Sequence, residues 1–238
     1  METVRQGSHG TAARMAQMLL NDRLMELPEE GGKPFVPLVT DGIFGPKSTK
    51  ALTTFIARGA QVSHLPVIDD GLWRALGLVV AIDHRVMLVG QPHAGECWSA
   101  AAAMILGAPM SVHPGGASLT DKGRLVPDLQ NLRRFGESLG WQSVPPTQNA
   151  SAFAGYLQRG PVWIAGQGAA ANGKRYGHAV VVSGMWGDGD AHGSTTLLRI
   201  HDPWPGPRGR VYDTYFFGPQ GIRLPGGVWF RPDAVMVR

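Results

Sequence analysis

The stretch from residue 90 to residue 107, GQPHAGECWSAAAAMILG, contains the only cysteine of the chain and joins two kinds of sequence. Gly, His and Pro residues before Cys97 predict a loop, and the alanine run after it predicts a helix that ends at Gly107. Cys97 thus stands at a predicted helix N-terminus, where the helix dipole and backbone N–H groups favour a thiolate. Because a thiolate is a strong nucleophile, Cys97 is a candidate for covalent catalysis.

A thiolate nucleophile needs a partner that handles protons, and His178 has the most suitable context. It begins the apolar run HAVVVSG, which predicts a strand. Asp202 ends the next predicted strand, TLLRIHD, and would orient the imidazole if the two strands are neighbours. Trp204 could then shield their hydrogen bond from water. Gln91, six residues before Cys97, has an amide that can donate to a developing oxyanion.

The composition limits the fold and the partners. A chain of 238 residues with 43% hydrophobic residues can form one large domain or two small ones. A single cysteine excludes an internal disulfide. The net charge of +4 suits an anionic partner or a mildly basic soluble protein. The basic residues show no aromatic-interleaved cluster, and no His/Cys spacing resembles a zinc site, so we expect no nucleic acid, metal or cofactor.

The periodicity of the sequence changes after Gly77. Three helices are predicted before it, at residues 11–20, 46–59 and 69–77. Helices are predicted after it at 97–107, 126–140 and 149–160, and strands at 85–91, 161–166, 178–184, 196–202 and 227–238. Residues 166–174, GQGAAANGK, are expected to be a mobile loop. We therefore predict a helical domain over residues 1–79 and an α+β domain over residues 80–238, with helices preceding strands.

The segment from about residue 85 to 238 resembles the papain-like cysteine peptidases, especially the compact bacterial effector and bacteriocin-leader peptidases. The motifs that carry the resemblance are Gln91 followed by Cys97-Trp98, then His178 heading HAVVV, then Asp202-Pro-Trp204. The resemblance implies a helical half and an antiparallel sheet half. It implies Cys97, His178, Asp202 and Gln91 as catalytic residues, and Trp98 and Trp204 as substrate-binding residues. The chain departs from papain in a shorter Cys-to-His interval, an Asp in place of Asn, and Glu96 directly before the nucleophile.

The N-terminal segment resembles the small three-helix peptidoglycan-binding module. The matching motif, DG-x-FG followed by a helix, is formed here by Asp41, Gly42, Phe44, Gly45, Thr49, Ala51 and Phe55. Residues 27–38 look inserted, and the usual second motif is reduced to DDGLWRALG. Phe44 and Phe55 are expected in the core. The resemblance implies a peptidoglycan ligand, with Asp41 and Phe44 as candidate binding residues.

Three functions follow as hypotheses. In the first, the protein is a thiol amidohydrolase that cuts peptide stems of bacterial peptidoglycan and is delivered as a type VI-like antibacterial effector. The N-terminus lacks the apolar core of a secretory signal, so we expect synthesis in the cytoplasm, leaderless export to the periplasm or a target cell, and an immunity protein as partner. The longest apolar run, residues 75–82, is much shorter than the roughly 20 residues of a membrane helix. In the second, the same residues cut a target protein, and the N-terminal module docks onto secretion machinery or onto the substrate. In the third, the protein is a non-enzymatic binding module in which the three residues are vestigial.

Overall fold

The computed structural model divides the chain into two compact units. It describes residues 1–27, 34–59, 65–109, 115–169, 173, 175–216, 221–226 and 228–238. Unit 1 comprises Met1–Ala81 with Trp186–Leu197, and unit 2 comprises Ile82–Met185 with Leu198–Arg238. The boundary predicted after residue 79 lies two residues before the end of the first segment. The assignment of residues 186–197 to unit 1 has no counterpart in the sequence patterns.

Unit 1 contains helices α1 (Thr11–Met25), α2 (Pro46–Ala57) and α3 (Asp70–Ala75). Pro46 opens α2, where a missing N–H costs nothing, and the Asp69 side chain caps α3 by accepting from Leu72 N at 2.9 Å. Helix α1 is buried on most sides, and its core includes Phe44 and Leu52. The predicted insertion at 27–38 lies partly outside the described residues, since 28–33 are not described.

A buried glutamine organises the loop before α2. Gln17 is 2% exposed, and its amide nitrogen donates to Asp41 Oδ1 at 2.9 Å and to the Ile43 carbonyl at 3.0 Å. Its amide oxygen accepts from Gly42 N at 2.9 Å. Gly42 adopts φ +77°, a conformation that side chains disfavour. Because a buried amide must be hydrogen-bonded, Gln17 holds this loop in one conformation and directs Phe44 into the core.

Unit 2 contains helices α4 (Cys97–Leu106), α5 (Leu129–Ser138) and α6 (Ala150–Leu157). Gly107 ends α4 in the left-handed conformation at φ 70°. Asp128 caps α5 by accepting from Asn131 N at 2.8 Å, and Asn149 caps α6 by accepting from Ala152 N at 2.9 Å. None of the helices in the described part of the chain is long and apolar enough to span a membrane.

The described strands form one sheet that includes antiparallel pairs. They are β1 (Val80–Asp83), β2 (Gln142–Val144), β3 (Val162–Ala169), β4 (Arg175–Gly187), β5 (Thr196–Asp202), β6 (Arg210–Tyr215), β7 (Ile222–Leu224) and β8 (Val228–Val237). The order is β2-β8-β3-β4-β5-β6, with β1 on β4 and β7 on β8. The mixed α+β class is confirmed. In the loop predicted at 166–174, residues 166–169 belong to β3, and 170–172 and 174 lie outside the described residues.

Three aromatic side chains fix helix α4 to the sheet. Phe135 of α5 packs between Trp98 of α4 and Trp163 of β3, with ring centroids 5.4 Å and 5.2 Å away. All three are almost fully buried, and Trp163 Nε1 donates to the Trp98 carbonyl at 3.3 Å. Aromatic pairs at this spacing contribute beyond the area that they bury. The first turn of α4, which contains Cys97, is therefore held on a rigid support.

The strand predicted at residues 85–91 is wrong. The strand in this region is β1, which ends at Asp83, and residues 84–91 have no strand structure. Val89 is 6% exposed and Val86 and Leu88 pack partly on the core. The alternation of apolar residues therefore reflects burial on one side of this segment. Its backbone makes single hydrogen bonds in place of a strand ladder. One of these is the hydrogen bond from Gln91 N to the Pro203 carbonyl at 3.0 Å.

Candidate active site

Cys97 is the first residue of α4, as the sequence predicts, and is 8% exposed. It is a free thiol. The residue before it, Glu96, is the N-cap but makes no side-chain cap, and its Oε2 is buried with no hydrogen-bond partner among the described residues. The thiol thus lies at the N-terminal end of α4, where the first backbone N–H groups of a helix have no carbonyl one turn earlier to donate to.

His178 lies between Cys97 and Asp202. Its Nε2 is 2.8 Å from Asp202 Oδ1, and its side chain is also hydrogen-bonded to the Cys97 thiol. Strands β4 and β5 are neighbours in the sheet, which places His178 and Asp202 side by side as expected. Because Asp202 takes Nε2, Nδ1 is the ring nitrogen left for the sulfur. The structure therefore brings together the three residues that the sequence nominates as nucleophile, base and orienting carboxylate.

The pKa values of this pair favour the charged forms. Burial lowers the pKa of His178, but its hydrogen bonds to Asp202 and Cys97 outweigh burial and raise the pKa to about 9. Burial raises the pKa of Asp202, but the His178 hydrogen bond and charge, the Trp204 N–H and Arg210 outweigh burial and lower it. At neutral pH the pair is an imidazolium beside a carboxylate, ready to protonate a leaving amine.

The raised pKa of His178 predicts an upper pH limit for activity. The leaving amine needs the imidazolium proton, so peptide cleavage should decline as the pH rises through about 9. Initial rates of peptide cleavage between pH 5 and 10, with circular dichroism at each pH to confirm folding, would measure this. A rate that stays level to pH 10 would contradict the assignment of His178 as the acid.

Asp202 has contacts that the sequence patterns did not reveal. Trp204 N donates to Oδ1 at 2.9 Å. Arg210 donates to Oδ2 from Nε at 3.3 Å and Nη2 at 3.2 Å, and the Tyr212 hydroxyl lies 3.5 Å from the same oxygen. Both residues belong to β6, a strand that the sequence did not predict. A buried carboxylate needs a counter-charge, but the sequence does not say which of its many arginines supplies it.

Gln91 is 4% exposed, and its amide nitrogen donates to the His93 carbonyl at 2.9 Å. An amide group has two N–H donors, so the second one could reach an oxyanion. The oxyanion role of Gln91 stays a prediction. Its segment packs backbone to backbone on the loop after Asp202: a Cβ on Gly90 would overlap the Pro207 carbonyl, and one on Gly206 would overlap the Gln91 carbonyl.

Replacing Gly90 by alanine should therefore separate Gln91 from the Asp202 loop. The contact atoms on the Pro207 side are backbone, which cannot rotate away. We expect a loss of about 10- to 100-fold in kcat from misplacement of the oxyanion donor and about 1–3 kcal/mol of stability from overpacking. Gly155→Ala is the matched control, because a Cβ there meets nothing within 4 Å. Equal kcat for Gly90→Ala and Gly155→Ala would refute this coupling.

The four proposed substrate-binding residues have different environments. Trp204 is 51% exposed and remains available to a substrate. Trp98 is 3% exposed and packs in the core on Phe135, which leaves little of its ring for a substrate. Phe44 is 0% exposed, as expected for a core residue, so any role in binding would be to support the loop rather than to touch a ligand. Asp41 is exposed, but its Oδ1 already accepts from Gln17 and from Ile43 N at 2.9 Å.

The Asp41 hydrogen bonds also set its charge. The hydrogen bond from Gln17, joined by the one from Ile43 N, lowers the pKa of Asp41. The role of Asp41 in binding stays a prediction.

Within the described ranges, no group of three His, Cys, Asp or Glu side chains could hold a metal ion.

The arrangement can carry out acyl transfer. In this geometry Cys97 can supply the nucleophile, His178 can supply the proton, and Asp202 can fix the ring, as the three groups of a thiol hydrolase do. A sequence model of the family described as papain-like cysteine protease AvrRpt2 matches residues 80–217, more than half of the chain. A search of curated proteins found no match. The chain therefore belongs to the papain-like cysteine protease AvrRpt2 family and is a cysteine peptidase.

Proposed function

We propose that this peptidase hydrolyses peptide bonds within a target protein through an acyl-enzyme on Cys97. The observation that carries the proposal is the hydrogen-bonded series Cys97–His178–Asp202. The description of the matched family as a protease supports a protein substrate.

The reaction follows from the positions of these groups. The Cys97 thiol gives its proton to the His178 imidazole, and the sulfur attacks the scissile carbonyl while the electron pair of the C=O bond moves to the oxygen. The Cys97 backbone N–H, at the first position of α4, and the second N–H of the Gln91 side-chain amide would stabilise that oxyanion. His178 then donates its proton to the leaving amine, and the C–N bond breaks. Water then gives a proton to the neutral imidazole as its oxygen attacks the thioester carbonyl. The C–S bond breaks, the acid product leaves, and the imidazolium returns the proton to the sulfur, which restores the thiol.

A second candidate substrate is the peptide stem of peptidoglycan. The loop that contains Asp41 and Phe44, held by the buried Gln17, favours it because it lies in the motif that resembles the peptidoglycan-binding module. In this version unit 1 would retain the cell wall while Cys97 cuts stem amides. Type VI-like export to the periplasm or a target cell, and an immunity protein that blocks the active site, would accompany it.

One paired experiment separates the two substrates. Purified protein and its Cys97→Ala variant would be incubated with a protein extract and with isolated peptidoglycan sacculi. New protein N-termini, identified by mass spectrometry and absent with the variant, are the expected result. Altered muropeptides with unchanged proteins would replace the first proposal by the second. No product from either substrate, with Cys97 reactive toward iodoacetamide, would overturn both.

A further inference from the structure

The two oxygens of the Asp202 carboxylate have separate partners. Oδ1 accepts from His178 Nε2 and from Trp204 N. Oδ2 faces β6, where Arg210 donates two N–H groups at 3.2 Å and 3.3 Å. The carboxylate is only 1% exposed, so water does not replace these donors. An Asp202 side chain without Arg210 would have a buried charged oxygen with one weak partner.

We propose that Arg210 is a positioning residue of this active site, which fixes the rotation of the Asp202 carboxylate so that Oδ1 stays aligned with His178. The guanidinium is planar, and its N–H groups have fixed directions, so two bonds to one oxygen restrict the carboxylate more than a point charge can. Arg210 is itself held, because its guanidinium carbon lies 5.4 Å from the centre of the Tyr212 ring.

The Tyr212 hydroxyl is a weaker support than Arg210. Its distance to Oδ2 is 3.5 Å, at the limit of a hydrogen bond. Burial, with the Asp202 charge beside it, raises the pKa of Tyr212, so the hydroxyl stays neutral. Among the described residues, Arg210 is the cation that is hydrogen-bonded to Oδ2.

The ionisable groups beside this carboxylate or its partner His178, in the described part of the chain, come from three elements. His178 and Tyr176 lie on β4, Arg210 and Tyr212 lie on β6, and Cys97 at the start of α4 acts through His178. Arg210 helps lower the pKa of Asp202. Its loss should raise that pKa, because a cation beside the carboxylate favours the charged form. A carboxylate that is free to rotate would also hold His178 in a less fixed direction.

The test compares Arg210→Met and Arg210→Lys with the wild type. We expect kcat on a single peptide, chosen from a cleaved peptide library, to fall about 10- to 100-fold for Arg210→Met, while KM changes less than about threefold. Lysine keeps the charge without the planar group, so Arg210→Lys should recover part of the loss. Arg159→Met is the matched control, since it removes an exposed arginine that donates to Gln142 Oε1 at 2.9 Å.

The pH dependence of Cys97 alkylation by iodoacetamide gives a readout that needs no substrate. In both Arg210 variants the upper step assigned to His178 should move away from about 9, because the Asp202–His178 hydrogen bond is no longer aligned. A change in thermal stability alone, with kcat and the His178 step as in wild type, would overturn the proposal. If Arg210→Met does not fold, Arg210→Lys decides: wild-type kcat and an unchanged His178 step refute the positioning role.

Discussion

Replacement of Cys97 by alanine is expected to reduce peptide hydrolysis by at least about 10⁴-fold, because it removes the sulfur that forms the acyl-enzyme. Cys97 is the only cysteine of the chain, so no second thiol can substitute for it. Binding of substrate should be nearly unchanged, because the side chain is small and 8% exposed. The measurement is single-turnover cleavage of a peptide by the wild type and the variant at equal folded concentration.

Cys97→Ser serves as the control for packing. Serine fills the same volume and keeps a hydroxyl beside His178, but an alcohol ionises far less readily than a thiol, so a similar loss is expected. Residual activity above one tenth of wild type in Cys97→Ala would place the nucleophile elsewhere. Alkylation of the wild-type thiol only as an ordinary free thiol, with a pKa of about 8.5, would favour a protein that binds and does not cleave.

Replacement of Asp202 by alanine is expected to lower kcat by about 10²- to 10⁴-fold, the range seen when an imidazole loses its orienting carboxylate. The Asp202 hydrogen bond is the largest contribution that raises the pKa of His178, and burial opposes it. Without the carboxylate, burial still disfavours the imidazolium, and Cys97 remains to favour it. The upper limit of the pH profile should therefore fall below about 9.

Asp202→Asn separates orientation from charge. Its carbonyl can still accept from His178 Nε2, so it should retain more activity than Asp202→Ala, but its amide N–H₂ would face the Arg210 donors. The matched control is Asp83→Asn, because Asp83 is half exposed and accepts from Arg199 at 2.9 Å outside the catalytic series. If Asp202→Ala kept kcat within threefold and an unchanged upper pH limit, Asp202 would have no catalytic function.

Local patterns in the sequence were enough to predict the elements that contain the candidate catalytic residues. The alanine run after Cys97 predicts α4, and Gly107 ends it as predicted. The β-branched runs that include His178 and Asp202 predict β4 and β5. These predictions succeed because helix periodicity, caps and β-branched residues act over a few positions.

Weak or short segments were less predictable. Strands β2, β6 and β7 have three to six residues, and their sequences are not strongly apolar. Such strands depend on pairing with a neighbour that is distant in sequence. The apolar run at 85–91 shows the opposite case, because it looks like a strand and packs on the core without a ladder.

Local sequence patterns identify the chemical groups of the candidate site: one thiol at a helix start, a histidine in one strand and an aspartate at the end of another. The folded chain is needed to show that β4 and β5 are neighbours, that the Trp98 ring is buried, and that Arg210 is a cation hydrogen-bonded to Asp202. The reason is that local propensities extend over a few residues. A buried charge, in contrast, selects its partner by distance in space, after the sheet has formed.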